Sequence, residues 1–251
     1  MSLLAVDEPG PVELLRADGA ARFVLTADHA GRAIPRGLGD LGLCEAELTR
    51  HIAWDIGIAG VTRRLSALLD APAVLQRYSR LVIDCNRPEH VASAFPELSE
   101  ATRIPGNAGL GEEAKAARRA AIFAPYHEVI GRVVAARGRP VYVAMHSFTP
   151  VYLDQARPMN VAVLYNRNPV FSRALAGLLR EEGGLVVAEN EPYRVTDETD
   201  YGVPVHAERR GLDYVEIEIR QDLIEDEAGQ AEWAARLARL LPLAADRLGA
   251  A

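Results

Sequence analysis

Val141-Tyr142-Val143-Ala144-Met145-His146 is the stretch whose reading decides the fold. A short unbroken apolar run rich in β-branched and aromatic residues reads as a strand buried on both faces, and His146 then stands at its end. Similar runs lie on either side: Arg22 to Ala27 ahead of Asp28-His29, Ala73 to Gln76, Arg80 to Asp84, Asn160 to Tyr165, Leu185 to Ala188 and Asp213 to Ile219. Helical periodicity separates them. Glu45 to Leu69 places Ile52, Ile56, Ala59 and Leu65 on one face, Glu112 to Ala136 is a long helix kinked or restarted at Pro125, and Val170 to Glu182 and Ala228 to Leu248 follow. Strands alternating with helices predict an α/β fold, a three-layer sandwich with a largely parallel or mixed central sheet covered on both faces. No repeat, low-complexity segment or linker divides the chain, so residues 1–251 are expected to form one domain. Residues 1–20 read as a polar lead-in, and residues 86–112 and 190–210 as long loops.

Composition narrows the class. The 251 residues are 49% apolar and 25% charged, with a formal net charge of -7. That balance is ordinary for a globular protein, and a net acidic surface disfavours phosphate backbones, so no nucleic-acid partner is expected. Two cysteines, Cys44 and Cys85, make no disulfide framework. The first residues lack the basic start and apolar stretch of a signal peptide, and no apolar run is long enough to span a bilayer. A cytoplasmic protein without membrane contact is expected; the oligomeric state is left open.

In open α/β sheets ligands bind beyond the carboxyl ends of the strands, so polar residues directly after apolar runs carry the most information. His29 and His146 are two such residues, and two histidines at strand ends suit a divalent cation such as zinc. A catalytic zinc site takes three protein ligands and keeps one position open, and Asp55, in Trp54-Asp55-Ile56-Gly57, is the best candidate for the third. Arg77, Arg80, Asn86 and Arg87 flank the Leu81-Val82-Ile83 run and form a candidate carboxylate clamp, because arginine pairs with carboxylate through two parallel charge-assisted bonds. Asp84 is expected to orient its neighbours by ion pairing. Glu216 and Glu218 share a strand face. Glu218, nearer the carboxyl end, is the candidate general base and acid, whereas Glu216 better fits a buried ion pair with an arginine. His206, in the 190–210 loop, is a candidate donor to a developing oxyanion. His51, His90 and His127 read as surface residues, and Ser147 lacks the elbow motif of a serine nucleophile.

Several segments resemble the N-formylglutamate amidohydrolases. These are Ala27-Asp28-His29-Ala30-Gly31, Trp54 to Gly57, Tyr78 to Pro88, Met145 to Pro150 and Glu216 to Asp222, in the family's order over most of the chain. Asn190-Glu191-Pro192-Tyr193 and Asp200-Tyr201-Gly202 are similar to a bacterial branch of that family. The resemblance implies a zinc-carboxypeptidase-like fold, related also to aspartoacylases and cell-wall amidases. It implies one zinc per chain held by His29, Asp55 and His146. Asp84-Cys85-Asn86-Arg87 matches the aspartoacylase element that binds substrate carboxylate, and Glu218 matches the catalytic glutamate. Carboxypeptidases take an acidic ligand three residues after the first histidine; Arg32 stands there, and Asp55 fits the cell-wall amidase arrangement instead. The expected activity is zinc-dependent hydrolysis of a linear amide on a small acidic substrate such as N-formylglutamate. The alternatives are a zinc peptidase or cell-wall-type amidase on the same fold, and a non-catalytic carboxylate-binding protein.

Overall fold

The computed structural model describes residues 3–249. Its main sheet has seven strands: β1 (Val12–Leu15), β2 (Phe23–Ala27), β3 (Ala73–Gln76), β6 (Val141–Phe148), β9 (Val161–Leu164), β10 (Val187–Glu189) and β11 (Tyr214–Arg220). Two-residue strands β4 (Leu98–Ser99) with β5 (Thr102–Arg103), and β7 (Val151–Tyr152) with β8 (Gln155–Ala156), form two small hairpins beside it. The helices are α1 (Glu45–Leu48), α2 (Ile58–Leu69), α3 (Glu112–Arg118), α4 (Ala124–Ala135), α5 (Val170–Glu181) and α6 (Glu227–Gly249).

The strand order is β1-β3-β2-β6-β11-β9-β10. The central four, β3, β2, β6 and β11, run parallel, while β1 is antiparallel to β3 and β9 antiparallel to β11. The sheet is therefore mixed with a parallel centre, as expected, and its four central carboxyl ends open on one edge. Period-two alternation then splits the strand residues between two cores. Leu25, Val143, Met145, Ile217 and Ile219 pack with residues of α2, α5 and α6. Val24, Val74, Tyr142, Ala144 and Tyr214 pack with α4 and long loops. Thr26, His146, Glu216 and Glu218 alternate onto this second face, because Thr26 and Glu216 both pair in register with Ala144, and Glu218 with His146.

Four details depart from the sequence reading. The expected helix from Glu45 to Leu69 is broken: α1 ends at Leu48, turns follow, and α2 starts at Ile58. Gly57, at φ 81°, makes that start, and a Cβ there would meet the Ile224 carbonyl oxygen at 2.0 Å. Arg80 to Asp84 is not a strand; Leu81, Val82 and Ile83 are apolar because this irregular segment is fully buried in the second core. The polar lead-in contains β1, a half-exposed edge strand antiparallel to β3. His146 lies inside β6, two residues before its end, rather than after it. Around Pro125 the helix is irregular but unbroken: a π turn at Arg119–Phe123 joins α3 to α4 directly before Pro125. Among the described residues no helix is long and apolar enough to cross a membrane.

Candidate active site

The edge formed by the four parallel carboxyl ends carries a cleft of about 530 Å³, within the usual range for a small-molecule site. His29, Asp55, His146, Glu216 and Glu218 line its floor, and Arg80, Asn86 and Arg87 its wall. His29 arrives because β2 ends at Ala27. Asp55 arrives because the irregular stretch before α2 is tied to that strand end: the Asp55 backbone N–H donates to the His29 carbonyl at 2.9 Å. Ser147, one residue after His146, donates its N–H to Asp55 Oδ2 at 3.2 Å and its hydroxyl to the Ile56 carbonyl at 2.9 Å. Its role in the fold is to hold the Asp55 loop.

The donor atoms converge. His146 Nδ1 is 3.0 Å and His29 Nδ1 3.5 Å from Asp55 Oδ2, and one ligand atom from each residue lies within 4.8 Å of the other two. A cation ~2.1 Å from each of three tetrahedral donors would leave them ~3.4 Å apart. The far nitrogens are directed at carboxylates: His29 Nε2 is 2.7 Å from Asp84 Oδ1, and His146 Nε2 is 3.5 Å from Asp28 Oδ2. A carboxylate can only accept, so Asp84 fixes the His29 proton on Nε2 and leaves the Nδ1 lone pair facing Asp55. His29 Nδ1 is buried with no hydrogen-bond partner of its own. Asp28 is held in turn by the Tyr126 hydroxyl at 2.6 Å.

The electrostatics also suit a cation. Burial and Arg80 push His29 toward the neutral form, yet Asp84 and Asp55 hold its pKa above the ordinary value. Burial would raise the Asp55 carboxyl, but His29 and His146 hold it well below the usual carboxylate range. The pocket thus favours added positive charge against its own desolvation. The residues present fit a divalent metal by donor type, by convergence and by the carboxylates behind the histidines.

Glu216 and Glu218 stand beside these donors, each with Oε2 buried and unpartnered. Burial pushes Glu218 up to about 7 and Glu216 well above the carboxylate range. The expected pairing of Glu216 with an arginine is absent among the described residues; it faces the cleft like Glu218.

The clamp residues differ in how free they are. Arg80 donates to Asp84 at 2.6 Å and lies 3.5 Å from Asp55. Asn86 donates to Asp200 and accepts from the Tyr201 and Gly202 backbone, and Arg87 donates to the Asn86 and Thr199 carbonyls. Arg77 is not brought to the cleft. It follows β3 next to β1, where its backbone N–H bonds Pro11 and its charge acts on Glu13.

His206 is not brought there either. It is buried in a π turn, with Nε2 3.0 Å from His127 Nδ1 and its ring stacked on His127, and it does not line the cleft. His127 itself is buried rather than at the surface, because it faces into the second core from α4 and meets the Cys85 carbonyl at 2.9 Å. His51, expected on the surface, lines the cleft, as do Arg157, Tyr193 and Asp200. The last three come from the β7–β8 region and the 190–210 loop, where periodicity carries no signal. For Tyr193 and Asp200 the family-like motifs around them were the available clue.

The model of the N-formylglutamate amidohydrolase family matches residues 21–225. Among solved structures, the gene product Atu2144 from Agrobacterium tumefaciens is similar at 36% identity and a TM-score of 0.95, over 98% of this chain and 99% of that one. N-formylglutamate amidohydrolase from Ralstonia eutropha JMP134 is similar at 18% identity and a TM-score of 0.69, over 96% of this chain and 100% of that one, a likeness of fold. No curated protein matches the sequence.

Proposed function

The chain belongs to the N-formylglutamate amidohydrolase family, and from that premise we propose that its cleft removes the acyl group from a small acidic N-acyl amino acid such as N-formylglutamate, with zinc held by His29, Asp55 and His146. The observation that carries this reading is the convergence of those three donors beside the unpaired carboxylate of Glu218. When bound, the cation supplies Lewis acidity for the scissile carbonyl and acidifies the attacking water.

The chain's own residues do the rest. Glu218 Oε2 takes a proton from the attacking water as the new C–O bond forms, then delivers it to the amine nitrogen as the C–N bond breaks, releasing formate and the free amino acid. A carboxyl with a pKa of about 7 serves both directions, since it accepts and returns a proton near neutrality. Asp84 holds the His29 imidazole in orientation, and Asp28 faces His146 Nε2 at 3.5 Å. Arg87, together with Arg80 on the same wall, receives a substrate carboxylate, and this fixes the scissile bond over the floor of the cleft. Asp200 and the Thr199 carbonyl brace Arg87 from the 190–210 loop, and the neighbouring Asn86 carbonyl accepts from it as well.

A panel of N-formyl, N-acetyl and peptidyl derivatives of glutamate, followed by release of free amine, tests the assignment. Turnover of the formyl or acetyl compounds above the peptides is expected. Cleavage of peptides alone would make the chain a peptidase, and no cleavage of any would overturn the reading.

A further inference from the structure

The arginines around the cleft are not equivalent. Arg80 is neutralised by Asp84, and Arg87 is directed at two backbone carbonyls with Asp200 3.8 Å away. Arg194 is exposed, and among the described residues nothing fixes its guanidinium. Arg157 differs from all three. It has no carboxylate partner among the described residues, yet it is held firmly. Its guanidinium carbon lies 4.7 Å from the Tyr152 ring centre, 5.0 Å from Tyr193 and 6.0 Å from Phe148. Its Nη1 donates to the Tyr193 hydroxyl at 2.9 Å. Its backbone is pinned as well, the N–H donating to the Pro150 carbonyl and the carbonyl accepting from Arg220.

Aromatic rings against a guanidinium stabilise its charge and restrict its rotamers while leaving most of its N–H donors free. The result is a pre-organised fork facing a cleft whose floor is acidic. Such a fork pairs with a carboxylate through two parallel bonds, and because it is already ordered, little entropy is lost on binding. Arg157 also belongs to a different segment from Arg80 and Arg87 and shares no hydrogen-bond partner with them.

We propose that Arg157, stacked between Tyr152 and Tyr193, recognises a second carboxylate of the substrate and so selects N-acyl derivatives of dicarboxylic amino acids. This rests on the amidohydrolase reading above and adds to it the residue that sets side-chain preference. A substrate with an amide in place of the second carboxylate leaves the fork with a neutral partner and loses the charge-assisted pair.

The test compares kcat/KM for N-formylglutamate and N-formylglutamine in the wild type, Arg157→Gln and Arg157→Lys. Wild type prefers the glutamate compound; Arg157→Gln lowers that preference ~100-fold, chiefly through KM, and Arg157→Lys falls between, since it keeps the charge without the fork. Loss of activity on both compounds in parallel, with the preference unchanged, would overturn the proposal. If the wild type hydrolyses neither compound, the amidohydrolase reading fails, and calorimetry with glutarate and butyrate then decides the inference separately. Tighter glutarate binding that Arg157→Gln abolishes would uphold the second-carboxylate site, and equal binding of the two acids would reject it.

Discussion

His29 Nε2 lies 2.7 Å from one oxygen of Asp84, whose other oxygen takes the Arg80 guanidinium at 2.6 Å. One buried carboxylate therefore does two things. It orients the imidazole, and it keeps Arg80, which is only 3.5 Å from Asp55, from competing for the Asp55 carboxylate. Burial alone would raise the Asp84 carboxyl, but Arg80 and His29 hold it well below the usual range, so it is an anion at any working pH. Asp84→Asn is expected to weaken zinc binding ~10–100-fold while leaving the three ligands in place. Competition with a chromophoric chelator measures this, and unchanged affinity would remove Asp84 from the site's support.

Glu218→Gln separates holding the metal from using it. The substitution keeps the size of the side chain and removes its capacity to take a proton, so zinc stoichiometry is expected to stay at wild-type level while kcat drops ~10³-fold. Glu216→Gln is the control on the same strand face. A larger loss from Glu216→Gln than from Glu218→Gln would transfer the base role to Glu216.

Acid sensitivity should arise in part from a pair outside the cleft. His127 Nε2 faces the Cys85 carbonyl, which only accepts, so that nitrogen carries the proton and Nδ1 accepts from His206. Burial lowers His127 to about 4, and burial together with His127 lowers His206 to about 3, from an ordinary value of 6.5. The unfolded chain thus binds more protons than the folded one once pH drops below about 6.5, and stability is full above that value and declines as pH falls toward 4. Melting temperatures of zinc-stripped protein from pH 7.5 to pH 4 should show this decline, and His206→Gln should flatten it. An equal slope in the variant would assign the acid sensitivity elsewhere.

The parallel centre of the sheet and the residues that face its open edge were legible in the sequence because buried strands write themselves as apolar runs. His29, His146 and Glu218 each interrupt or follow such a run, and a polar group there has few other reasons to exist. Asp55 was legible as a candidate but not in its setting: the helical spacing of Ile52, Ile56 and Ala59 hid the break that Gly57 and the Ile224 carbonyl impose. Leu81-Val82-Ile83 reads as a strand in sequence, yet burial, not strand pairing, selects its apolar residues. Arg77 stands in sequence beside Arg80, and His206 in the long polar 190–210 loop, and tertiary packing takes both elsewhere. Arg157 and Tyr193 gave no periodic signal, since residues on loops are fixed by contacts that only the folded chain supplies.

The most direct test of the account is formate release from N-formylglutamate by zinc-stripped protein as zinc is added back. Activity is expected to be absent after stripping, to rise in proportion to added metal, and to saturate at about one equivalent per chain, with Asp55→Ala showing no recovery over the same range. Full activity in the stripped protein, or none at any zinc level, would contradict hydrolysis at the His29–Asp55–His146 centre.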